Sequence, residues 1–150
     1  MMSATARYQK ARRFAVAALA AAAVAALPAC STSTATTTAE APAKVEAIAG
    51  SKVKSVTLTQ RASERLGIKV APVADNAGAK VVPYSAVVYD SEGSTWVYAV
   101  RQPLTYVRES IAIVDIAANN ARLSSGPAVG TAVVVEGAAM LYGTELGVGK

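Results

Sequence analysis

From position 81 onward the chain is written in short runs of β-branched and aromatic residues, each closed by a turn cluster. This rhythm constrains the fold more than any other feature. Residues 85–89 and 95–100 are rich in Val and Tyr and flank Asp90-Ser91-Glu92-Gly93-Ser94, a loop of residue types that hairpins use. Gln102-Pro103 breaks the second run. Residues 105–107 and 110–116 follow, with Ile111, Ile113 and Asp115 alternating against Ala112, Val114 and Ile116. Asn119-Asn120 marks a turn, Gly126-Pro127 ends a short strand headed by Leu123, and Val129-Gly130 leads into the apolar run 132–135. Six or seven short strands spaced about 8 to 12 residues apart predict a mainly β domain: a small antiparallel barrel, roll or sandwich. Gly137, Gly143, Gly147 and Gly149 in the tail read as backbone turns, and no helix longer than two turns is expected.

Order is expected to begin near Val45. Val56 and Leu58 alternate with Thr57 and Thr59, the period of a strand. Residues 60–66 (QRASERL) are good helix formers, with Thr59 as N-cap and Gly67 placed to stop the helix in a left-handed conformation. Residues 68–71 form a short strand closed by Pro72, and Asp75-Asn76-Ala77-Gly78 is a turn cluster.

The N-terminal part has a different character. Residues 1–15 carry Arg7, Lys10, Arg12 and Arg13 and no acid, and residues 14–27 are almost pure Ala, Val and Leu. A basic segment, a short apolar segment and small residues after it make a secretory signal peptide. The apolar run of 14 residues falls short of the roughly 20 that span a bilayer as a helix. It closes on Leu27-Pro28-Ala29-Cys30, which resembles a bacterial lipobox and carries the only cysteine of the chain. That resemblance implies cleavage before Cys30, a diacylglyceryl group on its thiol, and a mature protein held by membrane lipid. Residues 31–43 (STSTATTTAEAPA) offer nothing to anchor a core. They read as a flexible tether reaching about 20 Å.

Charge follows the same division. The whole chain has a net charge of +5, but four of its 15 basic residues and none of its 10 acids precede position 30. The remainder holds 11 basic residues against 10 acids, close to neutral. No Lys/Arg run after Cys30 offers a footprint for phosphates, so nucleic acid is not an expected partner. With one cysteine, no intrachain disulfide forms, and the domain must be stable from burial alone.

The chemical inventory is short. There is no histidine, so no nucleophile–histidine pair can be assembled, and the nitrogen and sulfur ligands of transition metals are missing. Asp90, Glu92, Asp115, Glu136 and Glu145 remain as carboxylates that a fold can bring together, with Asp90 and Glu92 expected to be solvated in their loop. Trp96 reads as a core residue, and Tyr84, Tyr89, Tyr98, Tyr106 and Tyr142 as anchors at the edges of the core. No enzyme activity, cofactor or metal is expected.

Residues 82–100 (VPYSAVVYDSEGSTWVYAV) resemble the entry to the membrane-proximal domain of periplasmic adaptor (membrane fusion protein) subunits of resistance-nodulation-division (RND) efflux pumps. The similarity runs on through Tyr106-Val107-Arg108, Ile111-Ala112-Ile113, Leu123-Ser124-Ser125-Gly126, Val129-Gly130-Thr131 and residues 133–138. Upstream, Leu58-Thr59 and residues 64–73 resemble the segment that opens the adaptor core. A full adaptor inserts a lipoyl-like domain and a helical hairpin between these parts. Here only residues 75–80 separate them, and no heptad pattern exists. The organisation expected is a lipoprotein signal peptide at 1–29, lipidated Cys30 with a linker to 44, and a β-domain at 45–150 that is adaptor-like from about 81. The resemblance implies a non-enzymatic, lipid-anchored module on the periplasmic side of the bacterial inner or outer membrane, docking on an RND transporter or adaptor subunit. The alternative is a small cell-envelope lipoprotein that binds a ligand or structural partner unrelated to efflux.

Overall fold

The alternation of Val56 and Leu58 with threonine makes Lys54–Leu58 a strand (β2) with both apolar side chains buried, at 0% and 3% exposure. It pairs antiparallel with Ala43–Ala47 (β1), Ala43 lying opposite Leu58. The computed structural model describes residues 40–148, so the expected signal peptide, Cys30 and most of the linker lie outside the described residues. The linker was expected to reach residue 44. Ala43 and Lys44 instead belong to β1, because their backbone pairs with β2 and Ala43 packs on the core. Ladder pairing, with the contact of Ala43 on the core, orders them.

Gln60–Leu66 is a helix (α1) with the expected ends. Thr59 Oγ1 accepts a hydrogen bond from the Ala62 N–H at 3.2 Å, satisfying one of the free donors of the first turn. Gly67, at φ 64°, takes the left-handed conformation that ends the helix. Lys69–Pro72 (β3) follows, then a hairpin of Ala74–Asn76 (β4) and Ala79–Pro83 (β5), whose turn is steadied by the Gly78 N–H donating to Asp75 Oδ1 at 3.0 Å. After a 3-10 turn at Tyr84–Ala86, the strands are Val88–Tyr89 (β6), Thr95–Gln102 (β7), Thr105–Ser110 (β8), Ala112–Ala117 (β9), Asn120–Ser125 (β10) and Ala132–Glu136 (β11).

These strands make two antiparallel sheets and no closed barrel. The larger runs β1-β2-β8-β7-β11-β3, with β6 also on β7; the smaller runs β4-β5-β10-β9. The domain is mainly β, as the strand rhythm predicted. Neighbouring residues of a strand point to opposite faces, and the larger sheet uses both. Tyr98, Tyr106 and Val134 pack with Val56, Leu58 and Leu141 on one face. Val97 and Val133 pack with Val82, Ala121 and Leu123 on the other, beneath the smaller sheet. The result is three layers: helices, large sheet, small sheet.

The C-terminal tail corrects the expectation of turns alone. Ala138–Leu146 is a nine-residue helix (α2) that contains Gly143. Gly137 stands at its N-cap with φ 85° and no capping side chain. Ala, Met, Leu and Glu favour the helix, and Gly147 at φ 79° closes its C-terminus, but Gly143 weakens it and no side chain caps its start, so at nine residues it depends on packing. Ala138, Leu141 and Glu145 recur at helical spacing and are all buried. The approach is close at Gly137, where an added Cβ would run into the Ile68 side chain and sit 3.2 Å from the Leu66 carbonyl oxygen.

Candidate functional site

The site grows from one cross-strand pair. Tyr98 of β7 lies opposite Arg108 of β8, which puts both side chains on the helical face of the large sheet. Two residues back along β7, Trp96 shares that face. Leu141 seats α2 on the sheet, and one helical turn on, Glu145 points into the same space, only 2% exposed.

A charge taken out of water must find partners, and Glu145 finds three. Its Oε2 accepts from the Tyr98 hydroxyl at 2.6 Å, and its Oε1 accepts from Arg108 Nε at 3.0 Å and the Lys54 backbone N–H at 3.2 Å. Lys54 Nζ also reaches the Glu145 carbonyl oxygen at 3.5 Å. One carboxylate therefore ties α2 to β7, β8 and β2. Burial, and then the bond to Glu145, push the Tyr98 phenol well above its usual pKa.

The Arg108 guanidinium lies 4.7 Å from the Trp96 ring centroid and 5.4 Å from that of Tyr142, a cation held between two aromatic faces. On the outer side, Trp96 Nε1 donates to Asp90 Oδ2 at 2.9 Å. Asp90 Oδ1 accepts from the backbone N–H groups of Glu92 at 3.0 Å and Ser94 at 2.8 Å. The Trp96 bond holds the Asp90 carboxyl below the usual carboxylate range against the opposing effect of desolvation. The Ser94 and Glu92 bonds and the charge of Arg108 act in the same direction as Trp96. Asp90 thus organises its hairpin loop instead of merely being solvated.

Together these groups border a shallow open hollow of about 240 Å³ between Trp96, Arg108, Tyr142, Asp90, Glu92 and Lys52. Enclosed small-molecule sites are larger, about 300–1,000 Å³, and bury most of their ligand.

The five carboxylates singled out in the sequence separate. Asp90 and Glu145 flank Arg108, and Glu92 lines the hollow. Glu136 lies elsewhere in an exposed ion pair with Lys69 at 2.9 Å, and Asp115 stands on β9 of the other sheet. Trp96 corrects the core reading: it is half-buried at the rim, because its indole N–H must reach Asp90. Tyr98 and Tyr106 are buried, whereas Tyr84 and Tyr89 are exposed, their hydroxyls 3.3 Å apart. Arg108 and Tyr142 were not foreseen as a pair. The signal lay in α2, since an acid four residues after a core leucine becomes conspicuous once 138–146 is read as a helix.

Among the described residues, no group of three or more His, Cys, Asp or Glu is placed to hold a metal ion, and no helix is long and apolar enough to cross a membrane. Comparison with known proteins found no matching family model, curated relative or solved structure.

Proposed function

We propose that this chain is a non-enzymatic module held to the bacterial envelope by lipid on Cys30, and that its β-domain docks on a transporter or adaptor subunit of an RND-type efflux assembly. The observation that carries the reading is the order of adaptor-like segments from residue 82 to 142 behind a Leu-Pro-Ala-Cys junction. The site chemistry supports a docking role over a catalytic one. Asp90 and Glu145 each accept three hydrogen bonds from within the fold, so neither carboxylate stands ready as a base. The hollow beside them is open and rimmed by aromatic rings and both signs of charge, the composition of a contact surface.

Crosslinking in intact cells tests the partner. The full chain, tagged and crosslinked in its own host, is expected to bring down a transporter or adaptor subunit. Recovery of only unrelated envelope proteins would overturn the efflux reading. The anchor has its own test. Each buried CH₂ of an acyl chain contributes about 0.8 kcal/mol to membrane binding, and a mature chain with 11 basic residues against 10 acids has little electrostatic grip of its own. Cys30→Ser protein is expected to leave the detergent phase, or to persist as uncleaved precursor, with the β-domain folded as before. A correctly processed mutant that stays membrane-bound rules the lipid anchor out.

A further inference from the structure

Arg108 uses only one edge of its guanidinium inside the fold. Nε donates to the buried Glu145, and the flat of the group lies against Trp96 and Tyr142. Among the described residues, Nη1 and Nη2 donate to no protein group, and neither is a buried atom left without a partner, so both meet solvent. The side chain as a whole is only 12% exposed, and the solvent it meets is that of the open hollow it borders. A guanidinium fixed in this way is a preorganised fork for a phosphate or a carboxylate. Two more charges on the rim lack side-chain partners among the described residues, the exposed Lys52 ammonium and the exposed Glu92 carboxylate. Asp90, which also faces the hollow, is already bonded to Trp96 and to its own loop.

We propose that the hollow binds the zwitterionic phosphoethanolamine headgroup of a phospholipid, with the phosphate on Arg108 Nη and Lys52 and the ammonium on Glu92. Each half of such a ligand answers one of the unpaired charges. A lone anion would face Glu92 and Asp90, and a lone cation would face Lys52 and Arg108. The ammonium must be primary, because it then donates hydrogen bonds to a carboxylate. A methylated ammonium is recognised by aromatic faces, and both rings here already hold Arg108. The openness of the hollow suits a headgroup, whose acyl chains stay in the bilayer. The surrounding Trp, Tyr, Lys and Arg are the residue types of a membrane–water interface. One helical turn on from Tyr142, exposed Leu146 and then exposed Val148 continue that surface with apolar side chains. A lipid on Cys30, with residues 31–42 reaching about 20 Å, makes headgroups the most concentrated ligand of the domain. The site rests on that anchor for its supply of lipid and is independent of the efflux partner.

Trp96 is the only tryptophan of the chain, so its fluorescence reports on the hollow. The full chain in a non-ionic detergent is titrated with glycerophosphoethanolamine, a water-soluble headgroup that binds whether or not Cys30 is acylated. Failure of this site is thereby told apart from failure of the anchor. A saturable change in emission is expected, with glycerophosphocholine and inorganic phosphate each binding at least about tenfold more weakly. Lys52→Glu is expected to weaken binding at least about tenfold with unchanged circular dichroism, because Lys52 is exposed. Glu92→Gln should erase the preference for ethanolamine over choline. After transfer into phosphatidylethanolamine vesicles, emission should match the headgroup-saturated state, and in phosphatidylcholine vesicles the free state. No saturable change, or an unweakened Lys52→Glu chain, overturns the site. Inorganic phosphate binding as tightly as the headgroup makes it an anion site only and overturns the headgroup. Emission that stays at the free state in both vesicles overturns the bilayer as the source.

Discussion

The two faces of the large sheet are closed in different ways. Toward the small sheet, Val97, Val133, Val82, Ala121 and Leu123 meet in an apolar core. Toward the helices, a second apolar cluster holds Leu141 and Tyr98, but at its margin Glu145, Arg108 and the Tyr98 hydroxyl form a buried polar knot. Val133 and Val134 are adjacent in the chain and serve one core each. The difference follows from what each layer brings. A four-stranded sheet lies over its partner through many side chains, and burial alone fixes it. α2 has nine residues, a glycine within it and no side-chain cap. A helix this short is marginal on its own, and the Glu145 knot adds three directional contacts to its apolar packing.

This contrast can be broken by substitution, read as urea-unfolding free energies. The largest effect is expected at Arg108→Ala, which leaves Glu145 buried without its cation and removes the guanidinium from between two rings. A loss of about 4 kcal/mol is expected, and a loss below about 1 kcal/mol would show that the pair behaves as a surface salt bridge. Next come two leucines, one for each face. Leu141→Ala and Leu123→Ala should each cost about 3 kcal/mol through lost burial and the cavity left behind. A large inequality between them would mean that one core is the main support and the symmetry of the apolar parts is false. Thr59→Ala removes the N-cap of α1 and should cost about 1 kcal/mol. An unchanged midpoint would place α1 outside the cooperative unit.

The smallest effect concerns the Asp90 loop. The carboxyl of Asp90 is held below its usual range, so its contribution is complete above the unfolded value of about 3.9 and fades only as pH falls through the lower folded value. The amides of Glu92 and Ser94, which donate to Asp90, should therefore keep their NMR shifts from pH 7 to about 4 and move only below that. Movement beginning at about pH 5 or above would contradict the hydrogen-bonded geometry.

How much of this was legible beforehand divides along the same line as the two faces. Val56, Leu58, Val97 and Val133 lay in runs whose period of two announces a strand, so the apolar architecture could be read directly. α1 was legible because Thr59 and Gly67 are local signals at both of its ends. α2 was not, since Gly143 interrupts it and its start is a glycine. The polar knot was hidden for a further reason. Glu145 meets Arg108 and Tyr98 across separations of 37 and 47 residues, and nothing local distinguishes it from the other acids. Trp96 was misplaced because a strand aromatic reads as core until its N–H is given a partner.

The buried cluster of Glu145, Arg108 and Tyr98 is held to serve structure, fixing α2 on the sheet. A double-mutant cycle on Arg108 and Glu145 tests this most directly, with unfolding free energies for Arg108→Ala, Glu145→Ala and the double variant. Each single change is expected to be severe, and the double variant to lose about 2 kcal/mol less than the two losses taken together, because removing both partners leaves no stranded charge. Losses that add to within about 0.5 kcal/mol would mean that the two residues do not act on each other, and the polar knot would not be what holds α2.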